Sequence, residues 1–291
     1  MIIVLTGPTG SGKSELAVSL ANRIGASIIN ADAFQVYKEL NIATAKPSEN
    51  LRMKAPHYLF DFVPLDSDYN VAEYQADLRA ELAELNKRGQ DNVIIAGGTG
   101  LYIRAGLYDY EFPSRAPADL SRYDGLSDEK LHQKLQELDP EEAKRIHPHN
   151  RRRVLRALSF YEENGQRKSE FVSSQEHRPL YPTLFFGLEK EREDLYALCD
   201  ERVEKMFAAG LVEENRTLVE RYGRDCHAFQ AIGVKELFPY FDGEISLDEA
   251  KALIKKNTRN YIKRQLTFFR HQFPLSWIHD ETEIMEVLQG K

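Results

Sequence analysis

The sequence predicts an α/β fold: a parallel-sheet core built on a phosphate-binding loop (P-loop), with a helical insertion and a helical C-terminal part. Three observations carry that prediction. Short apolar runs alternate with amphipathic helical patterns over the first hundred residues, the mark of a parallel, doubly wound sheet. The stretch Gly7-Pro8-Thr9-Gly10-Ser11-Gly12-Lys13-Ser14 fits G-x-x-x-x-G-K-[ST] in full. Helical periodicity then dominates from Glu191 to about Arg270, before a short late strand.

Ile2–Leu5 reads as a buried strand, because its apolar residues run without alternation. The glycines of Gly7–Ser14 turn the chain into a helix on which Leu16, Leu20 and Ile24 recur at helical spacing. Glycines let backbone N–H groups approach a polyanion, and the helix N-terminus adds a favourable dipole. Gly7, Thr9, Gly10, Ser11, Gly12, Lys13 and Ser14 are therefore the expected contacts to a di- or triphosphate. Lys13 would reach between two phosphates, and the Ser14 hydroxyl would bind the accompanying Mg²⁺. By itself the loop is of the nucleotide-binding, ATP-binding type.

Ser27–Asn30 reads as the second strand, ending at Asp32, and His57–Val63 as a third, with Tyr58, Phe60 and Phe62 on one side. Tyr74, Leu78, Leu82 and Leu85 mark a helix between Val71 and Arg88, stopped by Gly89. Val93–Ala96 is a further buried strand running into Gly97-Gly98-Thr99-Gly100. Ligands of such sheets bind beyond the carboxyl ends of the strands. Asp32, Thr99 and the phosphate loop fall at that edge.

Residues 1–114 are thus the first part of the core. A loop-like stretch from Phe112 to about Asp124 leads into a helical insertion over 115–147, patterned by Leu131, Leu135 and Leu138 and then Ala143 and Ile146. The core continues over 148–190, with the sheet regained at Thr183–Leu188. Residues 191–291 form a helical region whose late strand, Leu275–Ile278, returns to the core.

The 291 residues are 42% hydrophobic and 29% charged, enough for a sizeable buried core in a soluble protein. No apolar run approaches the roughly 18 residues that a membrane span needs. The N-terminus enters a strand within two residues, which leaves no room for a targeting peptide. Cys199 and Cys226 lack C-x-x-C spacing, against a disulfide framework or zinc site and in favour of the cytoplasm. A net charge of −7 speaks at first against a nucleic-acid partner, but what matters is where basic residues cluster.

Four constellations could carry chemistry. Asp32 could hold Mg²⁺ through water, take a proton from a nucleophile, or merely cap a turn, and its neighbour Gln35 is suited to reading a base edge. Thr99 could donate to a substrate atom or cap a tight turn. In Arg151-Arg152-Arg153-Val154-Leu155-Arg156-Ala157-Leu158, Arg152 and Arg156 share a face while Leu155 and Leu158 turn inward. Such a run is either a solvated face or a counter-charge for an anion. Lys255–Arg270 contains no acidic residue, and Lys256, Lys263 and Arg270 recur every seven residues opposite an apolar stripe, a plausible phosphate-backbone track. Gly233, in Gln230–Glu236, suggests close packing or approach to a ligand. His147-Pro148-His149-Asn150 does not match a recognised metal-ligand set.

Together these stretches resemble the bacterial tRNA dimethylallyltransferases, which are tRNA isopentenyltransferases acting on adenosine-37. The matching segments are Gly7–Ser14, Ile29–Tyr37, Ile42–Pro47, Ala96–Tyr102, Ile146–Tyr161, Gln230–Glu236 and Lys263–Arg270, in the family's order over nearly the whole chain. The resemblance implies transfer of a dimethylallyl group from dimethylallyl diphosphate to N6 of adenosine-37 in the anticodon loop of tRNA, releasing diphosphate. It implies Asp32 and Thr99 as catalytic residues and Mg²⁺ on Ser14. It also implies tRNA contacts at Asp32, Ala33, Phe34, Gln35, Thr99, Arg152, Arg153, Arg156, Gln230, Lys235, Lys263, Arg264 and Arg270. The expected enzyme is monomeric, with no membrane partner. Ala33, Ala43, Asn150, Leu198 and Val234 depart from the family's usual residues, and Ser114–Leu126 is shorter than usual.

Other readings make different predictions. A transferase acting on free adenine nucleotides would not require the basic Lys255–Arg270 helix. A small-molecule kinase would hydrolyse or transfer phosphate from ATP, and no Walker-B strand ending in an aspartate is evident. A non-catalytic RNA-binding module would leave Gly12-Lys13-Ser14 unexplained.

Overall fold

The computed structural model describes residues 1–112 and 119–290. The chain divides into two compact units, one formed by Met1–Leu107 with the chain from Tyr181 onward, the other by Tyr108–Leu180.

In the first unit, β1 (Ile2–Thr6) carries Ile3, Val4 and Leu5 fully buried, as a strand covered on both faces requires. α1 (Lys13–Ile24) packs Ala17, Val18, Leu20 and Ala21 into the same core, and Gly25 in the left-handed conformation stops it. β2 (Ser27–Asn30), the short α2 (Glu49–Arg52) and β3 (His57–Tyr58) follow. The third strand is shorter than the alternation over His57–Val63 predicts. Leu59 and Asp61 have φ of 59° and 52°, and left-handed residues cannot continue an extended ladder. α3 (Val71–Lys87) opens on a capping box between Asn70 and Glu73 and buries the predicted stripe of Tyr74, Leu78, Leu82 and Leu85. β4 (Val93–Gly97) and α4 (Gly100–Leu107) end this part of the unit.

The second unit holds α5 (Asp128–Leu138), α6 (Pro140–Arg145), α7 (Arg151–Asn164) and α8 (Lys168–Ser174). Leu131 and Leu135 share one small core with Ala143, Val154, Ala157 and Leu158. The inserted unit is therefore wider than the expected 115–147. Residues 148–180, expected to rejoin the core, belong with the helices, because the inward stripe of α7 is satisfied by α5. The expected boundary at 115, and the first part of the shortened segment Ser114–Leu126, lie outside the described residues.

The first unit resumes with β5 (Thr183–Leu188), at its predicted position. The helical block after it resolves into α9 (Arg192–Ala208), α10 (Leu211–Tyr222), α11 (Phe238–Phe241) and α12 (Leu247–Gln272), followed by β6 (Ser276–Ile278) and α13 (Glu281–Leu288). The 26 residues of α12 span about 39 Å. Strand order is β3-β2-β4-β1-β5-β6, every pair parallel. β2, β4 and β1 therefore lie side by side, and the loops leaving their carboxyl ends share one edge of the sheet. Among the described residues no helix is long and apolar enough to cross a membrane.

Candidate active site

Three loops meet at that edge. After β1, Gly10 and Gly12 have φ of 79° and 95°, which side chains bearing a Cβ rarely adopt. Lys13 Nζ folds back to donate to the Pro8 carbonyl at 2.7 Å. Burial, and then the neighbouring Arg202 of α9, push the Lys13 amine down to about 8. Two half-buried cations near one loop repel each other, so the space between them favours a polyanion. The buried Ser11 hydroxyl has no hydrogen-bond partner among the described residues.

After β2, the Asn30 side chain sets the turn that carries Asp32. Asn30 Oδ1 accepts from Asp32 N at 3.0 Å, and its Nδ2 donates to the carbonyls of Asp32 and Leu59 at 3.1 and 3.0 Å. Tyr74 of α3 in turn donates its hydroxyl to Asn30 O at 2.8 Å. Asp32 Oδ1 accepts from Phe34 N at 3.0 Å, while among the described residues Oδ2 has no hydrogen-bond partner. A carboxylate oriented through one oxygen and open at the other is arranged to take a proton.

After β4, Gly97-Gly98-Thr99-Gly100 is a set of close approaches. A Cβ on Gly97 would lie 2.2 Å from the Ala31 backbone, and one on Gly100 would lie 2.4 Å from Phe268. Thr99 ties two loops together: its N–H donates to Ala31 O at 3.0 Å, and its hydroxyl oxygen accepts from Ala33 N at 3.0 Å.

Two cavities open on these loops. A 510 Å³ cavity is lined by the phosphate loop from Thr9 to Ser14 except Ser11, and by Lys46, Gly98 and Leu198. A 220 Å³ cavity is lined by Phe34, Gln230, Lys235, Tyr261 and Arg264. Thr9, Asp32 and Arg202 line both. Phe34 also stacks on His227, with ring centroids 6.3 Å apart. Gln35 lines the phosphate side, its amide nitrogen donating to the carbonyls of Thr44 and Ala45 at 3.1 and 3.4 Å. That loop is itself pinned by Glu214 of α10, whose carboxylate accepts from Asn41 N, Ile42 N and Ala43 N.

Sequence reasoning missed Tyr261, Gln265 and Cys199 here, and noted Arg202 only as an arginine retained from the family's pattern without giving it a role. Arg202 stands at the junction of the cavities. Tyr261, lining the base-side cavity, is pushed up to about 12 by burial and then by the charge of Asp32. Gln265, read as part of a basic track, is buried, with Oε1 accepting from Thr9 N at 3.0 Å and Nε2 donating to Gly98 O at 2.9 Å. Cys199, a thiol kept protonated by burial, donates to Thr9 O at 3.4 Å. Only the acid-free spacing around Gln265 hinted at function, and it drew attention to the exposed cations Lys263, Arg264 and Arg270 rather than to the glutamine between them.

The basic track on α12 is partly spent within the protein. Arg259 pairs with Asp200 at 2.7 Å, and Lys255 pairs with Glu204 at 2.7 Å. Lys256, Lys263 and Arg264 remain exposed, and exposed Arg270 lies over the Trp277 ring. Gly233 has φ of 96°, and its N–H is held by buried Glu236, which also accepts from Asn257. That glycine serves a locked turn that carries Gln230 and Lys235 to the cavity. Arg152, Arg153 and Arg156 are exposed on α7, in the other unit.

The profile described as IPP transferase matches residues 35–272. The chain is 46% identical to the tRNA dimethylallyltransferase of Geobacillus kaustophilus over 283 residues, 95% of this chain and 89% of that protein. A crystal structure of tRNA delta(2)-isopentenylpyrophosphate transferase from Staphylococcus epidermidis matches with a TM-score of 0.74 at 36% identity, covering 100% of this chain and 99% of that one. A eukaryotic dimethylallyltransferase caught acting on tRNA matches with a TM-score of 0.81 at 26% identity, covering 98% of this chain and 75% of that one. With a profile spanning most of its length and relatives matched nearly end to end, the chain belongs to the IPP transferase family.

Proposed function

We propose that this chain transfers the dimethylallyl group of dimethylallyl diphosphate to N6 of adenosine-37 in tRNA, releasing diphosphate. The observation that carries the reading is the meeting of two cavities at Thr9, Asp32 and Arg202. One side suits a polyanion and the other an aromatic base with its phosphates. Group transfer needs such a junction, where attacking atom and leaving group can align.

Gly7–Ser14 would hold the diphosphate, with Lys13 and Arg202 neutralising charge as it develops on the departing oxygen. N6 attacks C1 of the dimethylallyl group, and the C1–O bond breaks with its electron pair going to diphosphate. Asp32 Oδ2 takes the N6 proton, and Thr99 keeps the 31–33 turn in place. The adenine leaves its stack in the anticodon loop and enters beside Phe34, Tyr261 and Arg264. Ser14 lines the phosphate-side cavity and would offer its hydroxyl oxygen to Mg²⁺ alongside substrate phosphates, where the ion would supply further charge neutralisation. Arg152, Arg153, Arg156, Lys263 and Arg270 would meet the RNA backbone. The free cysteines fit the cytoplasm.

Protein given labelled dimethylallyl diphosphate, Mg²⁺ and unmodified bulk tRNA should label tRNA but not AMP. Equal labelling of AMP would point to a free-nucleotide transferase, and phosphoryl transfer from ATP to a kinase.

Proton uptake offers a second check. Free Lys13 loses its proton above about pH 8, against an ordinary value of 10.5, and a bound polyanion favours the charged form. Binding of dimethylallyl diphosphate, an ester already fully ionised above about pH 8, should therefore take up a proton between those values, and its affinity should fall as pH rises through that window. Calorimetry at pH 9 in buffers of unlike ionisation enthalpy should read an uptake of up to about one proton.

A further inference from the structure

We infer that Gln265 is a positioning residue for the donor diphosphate, fixing the Thr9 amide of the phosphate loop from helix α12. The inference rests on the transfer reaction proposed above. Only 5% of Gln265 is exposed, and both ends of its amide are used, Oε1 by Thr9 N at 3.0 Å and Nε2 on Gly98 O at 2.9 Å. The Thr9 carbonyl is held from the other side by Cys199 of α9. Thr9, within the glycine-rich loop, is thus held at its N–H by one helix and at its carbonyl by another.

A loop that binds a polyanion through converging backbone N–H groups works only if those groups already point inward, and reorganising them on binding costs affinity. Gln265 supplies that order. An apolar residue of similar size would fill the same space, so packing alone does not call for an amide with a donor at one end and an acceptor at the other. Its sequence neighbours Lys263 and Arg264 are exposed. The helix that presents basic groups to RNA therefore also sets the geometry of the loop that holds the donor.

Two variants reach this link from opposite sides. Gln265→Leu keeps the volume and removes both hydrogen bonds. Gly98→Ala keeps Gln265 but places a Cβ 2.4 Å from its Nε2, pushing away the end of a flexible side chain. Each should raise the KM for dimethylallyl diphosphate and the Kd for inorganic pyrophosphate about tenfold, the scale of one buried N–H left unpaired. kcat should fall less, and the Kd for tRNA should stay within about twofold, because no exposed cation is touched. Gln265→Glu should regain pyrophosphate affinity at pH 5, relative to wild type at that pH, as its protonated carboxyl recovers a donor.

Unchanged pyrophosphate affinity in Gln265→Leu, in a background where wild type labels tRNA, overturns the inference. Weakened tRNA binding with intact pyrophosphate binding overturns it too, by assigning Gln265 to RNA. Should Gln265→Leu fail to fold, Gly98→Ala decides between the same outcomes. A wild-type protein that binds pyrophosphate but transfers nothing defeats the proposed reaction instead, while the pyrophosphate measurements still decide the role of Gln265.

Discussion

Asp32→Ala is expected to lower dimethylallyl transfer roughly 10²–10⁴-fold while tRNA binding stays close to wild type. The separation follows from how the residue is held. The turn at Asp32 is fixed by the Asn30 side chain and by the Thr99 hydroxyl, so it should survive loss of the carboxylate. Phe34, Lys235 and Arg264, which line the base-side cavity, are untouched. Asp32→Asn sharpens the experiment, because the amide oxygen can still accept from Phe34 N but the group can no longer take the N6 proton. Both variants should be equally inactive in single-turnover labelling and equally competent in filter binding of tRNA. Transfer near the wild-type rate in either would remove Asp32 from the role of base.

Lys13→Ala is expected to lower kcat/KM for the donor roughly 10²–10³-fold, the scale of losing one preorganised charge at a developing anion. Stability should move the other way or not at all. In the folded protein the Lys13 amine is held at about 8 against an ordinary 10.5, so at pH 7 its charge is a cost that folding carries. The unfolded chain binds more protons between those values, and that cost is relieved as pH rises through the window. Thermal unfolding of Lys13→Ala at pH 7 should therefore occur at or above the wild-type midpoint. Pyrophosphate should raise the midpoint of wild type and scarcely that of the variant. A variant markedly less stable than wild type without ligand would mean that Lys13 holds the loop together rather than its anion.

The positions of those residues were legible in spacing and context, whereas the catalytic roles of Asp32 and Thr99 came only with the family resemblance. Gly7–Ser14 sits between a buried strand and a helix, and Asp32 and Thr99 follow strands whose apolar runs are unmistakable. Strand order adds what spacing could not, since β2, β4 and β1 are neighbours only in space. His57–Val63 misled because alternation of side chains does not report backbone sign, and Leu59 and Asp61 are left-handed. The extent of the insertion was hidden for a related reason. The stripe on α7 shows that Val154, Ala157 and Leu158 face inward, but nothing in periodicity says which core they enter. Gln265 was invisible because it acts through partners far along the chain, Thr9 and Gly98, and Arg202 was legible only as a retained family arginine, its place beside Lys13 being set by the fold. A glutamine between lysine, arginine and leucine carries no local sign of burial.

The double hold on Thr9 also bears on time. Thr9 and Gln265 are 256 residues apart, and at roughly 5–20 residues per second a ribosome needs about 13–50 s to join them. The glycine-rich loop is thus made well before the helix that completes it. A nascent chain that stops before α12 displays the whole motif yet lacks the partner of its Thr9 amide. Ligand competence would arrive late and abruptly, with the emergence of one helix, rather than accumulating as the chain grows.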